Sequence, residues 1–186
     1  MKKEALIREL TVMQNAALVH RNKACQYVLN DKSNIPLLIE LTFEIKDKLS
    51  IRAAWILELV CKESLNHIIP YLDTFIQNMD KVKFDSAKRP CAKIGELIAL
   101  DYENDGIIKT KLTPKHKEQL ISCCFDWMIS NEKLAVDAYA MMILYIFGKE
   151  IDWIHQELSS ILENNMANKS AGYRARGLKL LKLMKT

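Results

Sequence analysis

Histidines, cysteines and one isolated aspartate are the residues from which any chemistry in this chain would have to start. His20, His67, His116 and His155 are scattered. They form no His-Glu-x-x-His segment and no pair four apart on one helix face, so they lack the convergent spacing that zinc needs. Cys25, Cys61, Cys91, Cys123 and Cys124 contain no Cys-x-x-Cys pair and no metal-ligand spacing. Four of the five sit in apolar helical segments, where cysteine packs as a small hydrophobe. Cys123-Cys124 has no activating base beside it. Gly-rich phosphate loops and a Gly-x-Ser-x-Gly elbow are missing, so nucleotide cradling and serine-hydrolase chemistry lack their usual signatures. No catalytic constellation, metal or cofactor is expected.

Asp137 is the most unusual acid. It stands alone in a run that reads Leu134, Ala135, Val136, then Ala138 to Leu144. A carboxylate buried there without a partner would cost several kcal/mol or take up a proton. The expected solution is an ion pair with an arginine on a neighbouring helix, Arg89 or Arg174; the competing one is a catalytic carboxylate. Trp55, Trp127 and Trp153 fall among apolar positions at helical spacing, and core or inter-repeat packing is expected for each. Trp55, beside Glu58 and Lys62, is the one expected to be partly exposed and able to anchor a partner.

The distribution of charge is more telling than its sum, a mild +4. After Glu163 no acid occurs, while Lys169, Arg174, Arg176, Lys179, Lys182 and Lys185 follow. At about 100° per residue, the last five of these cover one half of a helix, and Tyr173, Gly177, Leu180, Leu181 and Met184 fill the other. Lys88 and Lys93 take similar places on an earlier helix. Such a face suits a phosphate backbone or an acidic protein segment. It also suits a solvated capping helix, with cations placed well for the helix dipole.

The elements that position these residues are helical almost throughout. Gly (5) and Pro (4) are scarce and Leu, Ile, Ala, Lys and Glu dominate, so an all-α chain of about ten helices is expected. Helices are predicted over 3–17, 20–30, from Pro36 to Phe43, and from Ile51 to Lys62 with Ser50 as N-cap. Ser64 caps the next, to about Met79, with a kink or late start at Pro70. Asp85 or Ser86 opens another, to about Asp101, before a loop through Asn104-Asp105-Gly106. Thr113-Pro114, an N-cap followed by an N1 proline, is the strongest start signal in the chain. Helices over 132–148, 151–165 and 171–185 complete the set. No apolar run reaches the ~20 residues that span a bilayer. An odd number of cysteines without a leader-like start points to a reducing compartment, the cytoplasm.

These helices recur as pairs. Ile35-Pro36-Leu37-Leu38 leads to Ile51-Arg52-Ala53-Ala54, and Ile69-Pro70-Tyr71-Leu72 leads to Lys88-Arg89-Pro90-Cys91-Ala92. Gln119-Leu120-Ile121 then leads to Ala135-Val136-Asp137-Ala138, and Trp153-Ile154 to Tyr173-Arg174-Ala175-Arg176. Second helices start roughly 35–50 residues apart, the period of two-helix repeats that must stack to complete a core. With its Leu-Pro-x-Leu-like first helix and its Asp47…Ile51-Arg52-Ala53-Ala54 start to the second, the chain resembles the HEAT-repeat family of armadillo-like solenoids. Asp85…Arg89 and Arg174 match in part; the third repeat has Asp137 where arginine belongs. The resemblance implies one right-handed α-α superhelix over 1–186, with 3–30 as a cap and four helix pairs over 33–186. It further implies a non-enzymatic module whose partner is another protein, without a membrane. HEAT-like DNA glycosylases, which use an aspartate and aromatic residues in their groove, are loosely similar through Asp137 and Tyr139. That similarity implies nucleic acid as the alternative ligand and alkylation repair as a possible activity. Lys88, Lys93, Arg174, Arg176, Lys179 and Lys182 are the expected binding residues in either case.

Overall fold

A computed structural model describes residues 2–130 and 132–185. Among these residues the chain forms ten α-helices, five short 3-10 helices and no strand. It divides into two compact units, residues up to Leu97 and from Ile98 onward.

In the first unit, α1 (Lys2–Thr11), α2 (Leu18–Asn30), α3 (Asn34–Thr42) and α4 (Leu49–Glu63) pack with α4 touching the other three. Each helix buries one stripe: Leu6 and Leu10 on α1, Ala24, Cys25 and Val28 on α2, and a broader face on α4. The motif residue Arg52 reaches back to the end of α1. Its guanidinium donates to the carbonyls of Leu10 at 2.9 Å and Thr11 at 2.7 Å, groups that a helix terminus otherwise leaves unsatisfied.

The start of α4 differs from the sequence reading. Its N-cap is Lys48, not Ser50, and makes no side-chain cap bond; the Asp47 carboxylate accepts from the Leu49 amide at 2.8 Å. Ser50 lies one residue inside the helix, donating its hydroxyl to the Asp47 carbonyl at 2.7 Å. After Ser64, whose hydroxyl accepts from the Asn66 amide at 3.3 Å as a cap, the α-helix has the late start rather than the kink: 3-10 turns at Leu65–His67 and Ile69–Tyr71 precede the short α5 (Leu72–Ile76), and another at Met79–Lys81 follows it. Pro70 sits inside the second turn, where its missing N–H and bulky ring prevent a continuous α-helical ladder. Ile68, Leu72, Phe75, Ile76 and Met79 still reach the core.

α6 (Asp85–Glu103) carries Pro90 inside it, and the boundary between the units falls within this helix. Proline has no N–H to give to the residue four back, which frees the Ser86 carbonyl. The Trp55 indole N–H fills that place, donating to Ser86 O at 3.0 Å. Trp55 is thus half-buried, as expected, but its polar edge is already used within the fold.

In the second unit, α8 (Leu134–Gly148) packs against α7 (Pro114–Ile129), α9 (Asp152–Asn165) and α10 (Ala171–Met184). That position is why α8 is apolar nearly all round. The start of α7 is a reciprocal capping box. The Thr113 hydroxyl accepts from the His116 amide, and His116 Nδ1 accepts from the Thr113 amide, both at 3.2 Å. At the other end of α8, Gly148 leaves room for the His155 ring of α9, which a Cβ would overlap. The same ring bonds the Tyr145 carbonyl at 2.8 Å through Nε2.

Candidate interaction surfaces

In the second unit a groove of about 730 Å³ lies between α7 and α9. Its apolar lining comes from Pro114, Ile121 and Phe125 on α7 with Ile151 and Trp153 at the start of α9. The Phe125 and Trp153 rings stack, with centroids 5.6 Å apart and planes 23° from parallel. Trp153 is nevertheless 53% exposed. The sequence reading expected core or inter-repeat packing: the ring does pack between helices, on Phe125, but it is not buried. The missed signal is its register: Ile154, Leu158, Ile161 and Leu162 form the buried stripe of α9, and Trp153 shares its own stripe with Glu157 and Ser160.

Lys117, Glu118, Ser122, Asp126 and Glu150 complete the groove. Lys117 and Glu150 neutralise each other at 2.7 Å, and the Lys117 ammonium also bonds the Tyr102 hydroxyl and lies 4.1 Å from the Tyr102 ring centroid. Desolvation disfavours the charged lysine, but the bonds to Glu150 and Tyr102 outweigh it and raise its pKa. Glu150 lies below the usual carboxylate range, chiefly through its bond from Lys117. Glu118 and Asp126 are exposed, so the uncompensated charge of the groove is negative.

α10 carries the basic residues singled out in the sequence. Arg174, Lys179, Lys182 and Lys185 are exposed, together with Leu178 and Leu183. Arg174 donates to the Lys169 carbonyl at 2.9 Å. Arg176 is half-buried, its guanidinium directed at the Ala138 carbonyl at 3.4 Å. Lys88 and Lys93 belong to the first unit, both half-buried, with Lys93 bonded to Glu96 at 2.6 Å.

Asp137 is 1% exposed, and its ionic partner is Lys169, at 3.1 Å. Neither arginine expected for it takes that place. Arg89 instead joins Lys62 on Glu58, itself 1% exposed, and Arg174 is spent on a backbone carbonyl. The reason is reach: Lys169 lies in the connection between α9 and α10, beside the first turn of α8, where no helical register would have pointed to it. Asp137 Oδ1 has no hydrogen-bond partner among the described residues. Burial pushes the Asp137 carboxyl up to about 6 against the opposing pull of Lys169. Glu132, Lys133, Asn168, Lys169, Ser170 and Tyr173 border it in a smaller pocket of about 310 Å³.

Across this frame, the family model for the HEAT repeat domain matches residues 8–182. The chain belongs to this family. No curated protein and no solved structure matches it. The match starts within α1 and ends within α10.

All five cysteines are buried free thiols. Burial pushes Cys25 up to about 11 and Cys91 to about 12, and raises Cys61 and Cys124 as well. Such thiols are poor nucleophiles near neutral pH. Among the described residues no three His, Cys, Asp or Glu side chains converge as a metal site, and no helix is long and apolar enough to cross a membrane. His116 acts as a helix cap and His155 as a packing ring against Tyr145, 5.6 Å between centroids.

Proposed function

We propose that this HEAT repeat protein is a non-enzymatic interaction module that engages another protein through the α7–α9 groove. The observation that carries the reading is Trp153, stacked on Phe125 yet about half exposed in an open apolar groove. Exposed tryptophans beside a concave apolar floor are typical anchors of protein interfaces. HEAT repeats generally use such extended surfaces for protein partners. Five unpaired cysteines favour a reducing compartment, and the cytoplasm is the proposed location. Wild type and Trp153→Ala, used as baits in a nuclease-treated pull-down, test the proposal. A partner held by wild type should be lost by the variant while its thermal midpoint stays within a few degrees. A partner profile indifferent to Trp153 would remove the groove from consideration.

A second reading is supported by α10, where four cations are exposed and no acid follows Glu163. These could hold a nucleic-acid backbone. Arg174→Glu combined with Lys179→Glu should then abolish binding of labelled duplex DNA or RNA without loss of folding. Alkylation repair would need Asp137 as its carboxylate. A base-excision assay comparing wild type with Asp137→Asn decides that: turnover lost in the variant supports it, and none in wild type rejects it.

A further inference from the structure

The groove carries information about what fills it. The chain has a net charge of +4, yet the rim of this site is locally acidic. Lys117, the basic residue of the lining, is cancelled by Glu150 at 2.7 Å. Glu118 and Asp126 remain, exposed and without an ion pair to a described residue. They stand eight positions apart on α7 with Ser122 between them, so one edge of the groove presents two carboxylates from positions about 12 Å apart along the helix axis, at 1.5 Å per residue. Between and beneath them lie Ile121 and the Phe125–Trp153 stack. The open face of an indole attracts a cation, and a guanidinium most of all.

We infer that the groove takes a basic segment of a partner protein, one that sets two arginine or lysine side chains roughly 12 Å apart on either side of an apolar residue. The two cations face Glu118 and Asp126, and the apolar residue enters the floor against Phe125 and Trp153. On a helical segment that distance is about two turns; on an extended one it is three to four residues. Charge complementarity of this kind sets the choice of partner and the rate of encounter, while the aromatic anchor supplies most of the affinity.

This inference rests on the groove being the interaction site, and the experiment separates the two. A phage-displayed library of random 12-residue peptides is panned on three folded proteins: wild type, Trp153→Ala, and the charge-reversed Glu118→Lys/Asp126→Lys. Peptides kept by wild type and lost by Trp153→Ala should be enriched in arginine and lysine over aspartate and glutamate. On the charge-reversed protein that preference should disappear in favour of acidic peptides. A synthetic copy of a selected basic peptide should bind the charge-reversed protein at least about tenfold more weakly in fluorescence anisotropy. If Trp153-dependent peptides emerge but are neutral or acidic, or ignore the charge reversal, the basic segment is wrong and the groove survives. If no peptide depends on Trp153, the groove itself fails as an interaction site.

Discussion

Asp137 shows what a single residue can and cannot announce. Its isolation in an apolar helix marked it as a buried carboxylate needing compensation. Lys169 could not be read as its partner, because a lysine between helices has no register to place it. The compensation is also incomplete: one oxygen bonds Lys169 at 3.1 Å and the other has no partner among the described residues. Burial therefore prevails, and the folded carboxyl sits at about 6 against an ordinary 3.8. With the folded value raised, the native state binds more protons than the unfolded chain between about pH 4 and 6. The stability contributed by this group is full below that window, falls as pH rises through it, and is flat above. Asp137→Asn removes the titration, so the variant should gain on the order of 2 kcal/mol relative to wild type between about pH 4 and pH 7. Urea unfolding of both proteins at the two pH values measures it. Any constant offset from loss of the Lys169 bond cancels, and equal differences at both pH values would show that the carboxyl is not raised.

At the scale of helices, local signals were legible where one residue closes one end, and failed where several residues share the task. Thr113-Pro114 gave the start of α7 correctly, although the reciprocal bond comes from His116, which is an uncommon third residue for a capping box. Ser50 looked like a cap and is not, because the helix has already begun at Leu49, whose amide bonds the Asp47 carboxylate. The broken stretch after Ser64 could not be foreseen beyond a disturbance at Pro70, since tertiary burial of Ile68, Phe75 and Met79 decides how the chain continues. Arg89, read as a partner for Asp137, instead ties α6 to α4 by neutralising Glu58. Glu58 is 1% exposed; its partners Arg89 and Lys62 have side chains 36% and 43% exposed, Arg89 reaching across from α6 and Lys62 lying one turn further along α4 itself. Arg89→Ala leaves a buried carboxylate with one flexible, solvated partner and should destabilise the fold by about 3 kcal/mol. Lys62→Ala should cost less than about 1 kcal/mol, as for other exposed pairs. Chemical denaturation of the two single variants checks the order, and an equal loss from both would mean that Arg89 contributes no more than a surface ion pair.

For the molecule as a whole, the spacing of helix pairs was enough to reach the HEAT repeat family, because repeat stacking imposes a period that survives divergence of individual residues. The groove was not legible in the same way: it depends on which face of α9 turns inward, and one register step decides whether Trp153 is core or surface. Charge has a similar limit, since a sum of +4 conceals an acidic groove and a basic α10. The basic helix still sets a ceiling on nucleic-acid binding that can be calculated. Four exposed cations, Arg174, Lys179 and Lys182 on α10 with Lys185 at its C-cap, can neutralise at most four phosphates. The slope of log affinity against log salt should then be no steeper than about −3.6, a loss of about 150-fold between about 50 and 200 mM salt. Binding at physiological salt should fall in the weak, sequence-independent range of about 10⁻⁴ M or beyond. Anisotropy titrations of labelled duplex DNA at several salt concentrations read both quantities. A shallow slope with weak binding leaves α10 as a solvated outer helix and the groove as the principal site. A steeper slope, or micromolar binding at physiological salt, would require more cations than α10 presents and would place nucleic acid ahead of protein as the ligand.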